Sequence, residues 1–196
     1  MSMLPPVDLH AGPWTAERVR TELLDELHPT PRYELIDGEL LVSPSPEMEH
    51  QYAVGHLIVA LASYLARQRV GVVTTSPSDV ELAMDTLVQP DVYVVPFEAD
   101  GRRPRQRPYT GALLLVVEVL SPSTAGCDRL KKRRRYARAG VPEYWVVDLD
   151  ARLVERSRPD DARVELYDET IEWWPAGASE PLVIELGPLF REALDD

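Results

Sequence analysis

The chain has 196 residues, 44% of them apolar and 28% charged, with a formal net charge of −12 and a sequence pI near 4.8. That length suits one sizeable core, and that composition argues against disorder and against a membrane span. A strongly acidic total also argues against a generic nucleic-acid binder, which is usually basic.

The longest apolar run, Ala112 to Val117, stops at Glu118, short of the roughly 18 residues a transmembrane helix needs. No basic flank and apolar core open the sequence as a secretory signal would. Cys127 is the only cysteine, so no intrachain disulfide forms, zinc held by thiolates is not expected, and a reducing cytoplasmic setting is. The basic residues are clustered: Arg102, Arg103, Arg105 and Arg107 in a Pro-containing segment, then Arg129, Lys131, Lys132, Arg133, Arg134, Arg135 and Arg138. Such clusters are ordinarily a solvated loop and a solvated helix face, yet local positive potential attracts a polyanion whatever the total.

After a loose segment over 1–14, residues 15–196 read as one domain. Thr15 is the expected N-cap of a helix to about Leu27, ended by His28-Pro29. Tyr33–Ile36 and Glu39–Val42 flank Asp37-Gly38, a two-residue hairpin signal because Gly accepts the positive φ of a type I′ turn. Ser45-Pro46-Glu47 opens a helix with Ser45 as N-cap. Val54, Leu57, Ile58, Leu61 and Leu65 form its buried stripe, which His50 extends by a turn.

Strands are expected from Gly71, over Val80–Ala83 and over Asp91–Val95. The segment from Gly101 to Pro108 reads as an exposed loop. Ala112–Val119 reads as a central strand covered on both faces. Ser121 to Thr124 breaks that run, and a helix over about Ala125–Ala139 ends at Gly140. Glu143–Val147 returns as a strand, which makes a βαβ crossover. Arg152–Arg156, Arg163–Tyr167 and Leu182–Leu186 are later strands, with Trp173-Trp174-Pro175 in a connection over a sheet edge. The fold class is α/β with a mixed sheet flanked by helices.

Glu118 lies near the end of the most buried strand, where a carboxylate is costly unless paired or metal-bound. With Asp91 on a neighbouring strand it offers oxygens to a hard cation such as Mg²⁺, and the Val119 carbonyl offers a third. Asp128, Lys132 and Tyr136 share one helix stripe, so Lys132 points back towards both carboxylates. Each residue has an ordinary alternative: a strand-entry Asp91, a Glu118 paired with an Arg, a Lys132 bonded only to Asp128, a core His50.

The blocks Tyr33 to Leu40, Ser43 to His50, Gln89-Pro90-Asp91, Val117 to Thr124, Asp128 with Lys132, and Tyr136 to Asp148 resemble the Uma-two family of restriction-endonuclease-like proteins. That family lies within the PD-(D/E)xK nuclease superfamily. The resemblance spans roughly residues 15 to 190 and implies a restriction-endonuclease-like core. It also implies Asp91 and Glu118 as metal ligands in a Mg²⁺-dependent DNA endonuclease, with Mn²⁺ able to substitute.

The superfamily pattern places a lysine two positions after the glutamate, where this chain has Leu120; the resemblance moves that role to Lys132 on the following helix, with Lys131 the less favoured neighbour. His50, Glu39, Glu47 or Glu49 completes the site, and His50 is preferred. DNA is expected near Arg102, Arg103, Arg105, Arg129 and Arg133. A homodimer is expected on base rates and because cutting two strands needs two centres. The competing class is a nuclease fold that binds or assembles without cleaving, in keeping with the acidic total charge.

Overall fold

A computed structural model describes residues 12–23, 31–106, 109–122 and 125–195. Helix α1 spans Ala16–Glu22, and the Thr15 side chain accepts from Arg18 N as its cap. The expected extension to His28-Pro29, the Ser123-Thr124 caps and Arg107 lie outside the described residues.

Strands β1 (Arg32–Ile36) and β2 (Glu39–Ser43) pair across Asp37 and Gly38, whose φ values of 54° and 78° are those of the expected turn. Helix α2 runs over Met48–Gln68 with Glu47 as N-cap, two residues later than the Ser45 cap expected from the sequence. Glu47 makes no side-chain capping hydrogen bond, and the Ser-Pro pair stays outside the helix ahead of it.

Strands β3 (Gly71–Thr75), β4 (Val80–Ala83), β5 (Thr86–Val88), β6 (Val92–Pro96) and β7 (Leu115–Val119) follow. Gly71 is required where it stands, because any Cβ there would run into the Val95 carbonyl. The apolar run is shorter as a strand than expected, since residues 112–114 approach β7 as irregular chain.

The next helix opens as a π-helical stretch, Cys127–Lys132, and continues as α3, Arg133–Arg138. It ends at Gly140 with φ 73°. Strands β8 (Tyr144–Asp148), β9 (Leu153–Ser157), β10 (Glu165–Tyr167), β11 (Thr170–Trp173) and β12 (Leu182–Glu185) and helix α4 (Leu186–Leu194) complete the described chain.

The central sheet has the order β10-β9-β8-β7-β6-β3 and is mixed: β7 and β8 are parallel, joined through α3, and the other pairs are antiparallel. Alternation along β6 to β8 sends Val92, Val94, Leu115, Val117, Trp145 and Val147 to one face, against α2, α4 and the β11-β12 hairpin. Tyr93, Val95, Val116, Tyr144 and Val146 go to the other, against Tyr136 and the small sheet β2-β1-β5-β4. Two covered faces are what a near-continuous apolar strand requires.

Three elements depart from the sequence reading. Strand β5 and helix α4 were not expected, and Trp173 belongs to β11 rather than to a connection. It is buried in the core with its ring centroid 5.9 Å from that of Tyr64, while Trp174 is exposed. Trp14, at the end of the segment expected to be loose, is buried with Val19, Leu35 and Leu87.

Candidate active site

The sheet register builds the site. Pairing of Val92 with Val117 in the antiparallel β6–β7 ladder brings Asp91, just ahead of β6, beside Glu118 near the end of β7. Asp91 Oδ2 accepts from the Val119 backbone N–H at 2.9 Å, and the Asp91 N–H reaches Glu118 Oε2 at 3.4 Å. Thr75 on β3 fixes the Asp91 main chain by donating to its carbonyl at 2.6 Å.

From α2, His50 Nε2 lies 3.1 Å from Asp91 Oδ2, while its Nδ1 is buried with no hydrogen-bond partner among the described residues. From β1, Arg32 Nη1 donates to Asp91 Oδ1 at 2.9 Å. Asp91 is thus held from three sides, by His50, Arg32 and the Val119 N–H.

The helix after β7 supplies the second cation. Asp128, Lys132 and Tyr136 are all buried on its inner stripe, as their spacing predicts. Lys132, 2% exposed, places Nζ 3.0 Å from Glu118 Oε1, 3.0 Å from Glu34 Oε2 and 3.2 Å from Asp128 Oδ1. Tyr136 donates to Glu118 Oε1 at 3.0 Å. Lys131 instead points outward to Glu39 at the surface.

Electrostatics separate the two central carboxylates. Burial pushes Asp91 upward, but the His50 hydrogen bond and charge, Arg32 and Lys132 outweigh it and hold Asp91 well below the usual carboxylate range. Glu118 moves oppositely: burial drives it well above that range, Lys132 opposes, and the charges of Asp91, Asp128 and Glu34 add to the rise. Burial lowers Lys132, but Glu118, Glu34 and Asp128 overcome this and raise it, so it remains an ammonium.

Asp91, Glu118, Val119, Lys132 and His50 all border one cavity of about 380 Å³. Glu47 and Glu49 lie on its rim as exposed residues, and Glu39 stands apart on Lys131. Sequence reasoning missed Glu34 and Arg32 as members of the cluster. Their only signal was their two-residue spacing on β1, which places both on the face that Ile36 buries.

The basic residues are less free than the sequence suggests. Arg129 is paired with Asp148 and with Glu155, the latter at 2.6 Å, and Arg133 donates to the Asp161 carbonyl at 3.3 Å. Arg102, Arg103 and Arg105 are exposed, on a loop leaving the end of β6 remote from Asp91, with Arg102 beside Asp100. No helix of the described residues is long and apolar enough to cross a membrane.

A solved structure from Anabaena variabilis, titled as a "putative nuclease belonging to DUF820", superposes with a TM-score of 0.69 at 23% identity, covering 83% of this chain and 92% of that one. Its likeness establishes a shared fold. No curated protein matches the chain. The model of the Uma2 family, described as "Putative restriction endonuclease", matches residues 20–181. A match over that span takes in both sheets, α2 and every residue of the buried cluster, and the chain belongs to the Uma2 family.

Proposed function

We propose that this protein is a Mg²⁺-dependent endonuclease that hydrolyses phosphodiester bonds in DNA, with Asp91, Glu118, Lys132 and His50 as its catalytic set and Mn²⁺ able to substitute. The observation that carries this reading is the charge balance of the cluster. Among the described residues, Glu34, Asp91, Glu118 and Asp128 crowd around two fixed cations, Arg32 and Lys132, which makes the rim of the cavity rich in carboxylate. A divalent cation would offset carboxylate charge there. The family description agrees with nuclease chemistry.

The donor set suits such an ion. Among the described residues no group of three His, Cys, Asp or Glu side chains is arranged to hold a metal, so the ion would take two carboxylates, a backbone oxygen and water. That is the hard, water-rich shell Mg²⁺ prefers. Asp91 and Glu118 would hold it, with the Val119 carbonyl. Asp91 Oδ1 accepts one hydrogen bond and Glu118 Oε2 one long one, whereas a carboxylate oxygen has two acceptor sites. Bound there, the ion would polarise the phosphoryl oxygen and acidify a water.

The chain's own residues prepare that chemistry. Arg32 and His50 keep Asp91 ionised and fixed in direction. Lys132 orients Glu118 through Oε1 and contributes positive potential against charge developing on phosphorus. As a stabilised ammonium it serves by orientation and charge, not as a proton acceptor. Arg102, Arg103 and Arg105 are the proposed contacts to DNA phosphates away from the centre.

The purified protein is expected to nick or linearise supercoiled plasmid with Mg²⁺ or Mn²⁺ and not with a chelator, and Asp91→Ala to abolish the cut. Undiminished cleavage by a folded Asp91→Ala protein would overturn the assignment. A non-cleaving binding or assembly protein is the second reading, favoured by the hydrogen bonds that both Asp91 oxygens already accept within the chain. DNA binding with no calorimetric Mn²⁺ or Mg²⁺ signal would select it.

A further inference from the structure

Helix α2 buries His50, Ala53, Val54, Leu57, Leu61, Tyr64 and Leu65 against the sheet. The opposite face should therefore be polar, since a helix with one buried stripe ordinarily turns charge to water. It is not. Met48, Tyr52, Gly55, Val59, Ala62 and Ala66 are all exposed there, with Met48, Tyr52 and Val59 at 64%, 50% and 67%. Their spacing is four, three, four, three and four residues, the alternation that keeps one seam facing a partner helix.

We infer that this seam is a homodimer interface in which α2 packs antiparallel on α2 of a second copy. The seam's side chains choose both the partner and the direction. Its N-terminal half carries the large residues and its C-terminal half the small ones. A twofold axis near Leu57 sets Met48 against Ala66, Tyr52 against Ala62 and Val59 against Gly55, so every bulky group meets a small one. Parallel packing would oppose Tyr52 to Tyr52 and Gly55 to Gly55, a clash and a void.

Two independent observations support this. Glu49 and Arg67 are exposed and eighteen residues apart, five turns, so they flank the seam on the same side at opposite ends. An antiparallel twofold carries same-side flanks onto each other, which places Glu49 of one copy beside Arg67 of the other, twice; parallel packing would set the two Glu49 on opposite sides of the seam and leave both charges without that partner. Gly55 is the second. A glycine inside an exposed helix costs about 1 kcal/mol against alanine, yet a Cβ at Gly55 would meet nothing within the chain. The hollow has no use in the monomer and fits Val59 of a partner.

The two His50 positions then lie about 21 Å apart along the paired helices, so each dimer carries two candidate centres. The inference does not depend on catalysis: plasmid cutting and dimer mass are separate readouts.

Two helices of this length bury less than the roughly 800 Å² per partner of a standard interface, so association is expected to be reversible. Sedimentation velocity and light scattering over about 1–200 µM full-length protein should show a monomer–dimer equilibrium. Val59→Glu should weaken it by on the order of 100-fold, and Gly55→Leu by at least about tenfold, with unchanged circular dichroism. Arg67→Glu should weaken it and Glu49→Arg in the same chain restore it. A chain monomeric throughout that range would assign the face to a different protein and overturn the inference. So would a dimer indifferent to Val59→Glu and Gly55→Leu.

Discussion

Replacing Lys132 with methionine tests the physical account of the cluster directly. Methionine keeps most of the buried stem, so the change removes charge more than volume. Nζ is the only cation within 3.2 Å of Glu34, Glu118 and Asp128 among the described ion pairs, and all four side chains are buried. Removing one partner of a buried ion pair typically costs about 3–5 kcal/mol, a large part of the ~5–15 kcal/mol that holds a domain together.

The loss must also depend on pH. Without the ammonium, carboxyls such as Glu118, already raised by burial, retain protons in the fold that they lose in the unfolded chain. Their folded pKa stands above the unfolded one, so stability is intact below about pH 4.3 and declines as pH rises towards the folded value. The slope is about 1.4 kcal/mol per pH unit for each retained proton. Urea unfolding of wild type and Lys132→Met at fixed protein concentration should therefore give a difference of about 3–5 kcal/mol at pH 8 that is smaller at pH 5. Adding Glu118→Gln to Lys132→Met should recover part of the loss at pH 8. A difference below about 1 kcal/mol at pH 8, or the same at both pH values, would refute the claim that Lys132 neutralises this cluster.

Because Glu118 is raised well above the usual carboxylate range, a metal must displace its proton; Mn²⁺ affinity by calorimetry is expected to climb with pH, by up to about tenfold per unit below that pKa. A flat affinity from pH 5.5 to 8.5 would count against Glu118 as a ligand. Replacing Arg102, Arg103 and Arg105 together by alanine should lower the slope of log affinity for DNA against log salt by about 2–3, with the fold unaffected because all three are exposed. Arg129→Ala should leave that slope nearly unchanged, since its guanidinium is committed to Asp148 and Glu155.

The half of the site on β6, β7 and the following helix was legible because a charge inside an apolar run demands compensation. Glu118 interrupts such a run, and Asp128, Lys132 and Tyr136 recur at one turn, so a shared inner stripe follows from their spacing, while the choice of Lys132 as the partner of Glu118 does not. Glu34 and Arg32 were illegible for the complementary reason. On a hairpin strand with period two, a charged residue reads as outward-facing, and only the packing of the small sheet on the central one turns that face inward. The same limit hid β5, whose three residues are too few for a pattern. Helix α4 was missed as well; Pro188 stands in its first turn, where the missing N–H costs nothing.

The opposed behaviour of Asp91 and Glu118 also explains why the site needs both faces of the central sheet. Asp91 is held by His50 from α2 on one face and by Arg32 from the small sheet on the other. Glu118 receives Lys132 and Tyr136 from the helix side, and the Asp91 N–H at 3.4 Å. Two adjacent carboxylates in a low-dielectric setting do not both ionise readily, and the fold resolves the conflict by surrounding Asp91 with Arg32, His50 and the Val119 N–H, while Glu118 shares Lys132 with Glu34 and Asp128. With its one cation shared, Glu118 is raised well above the usual carboxylate range while Asp91 is held below it. On the proposed metal-binding reading, loading of the site would remove the Glu118 proton while Asp91 stayed ionised.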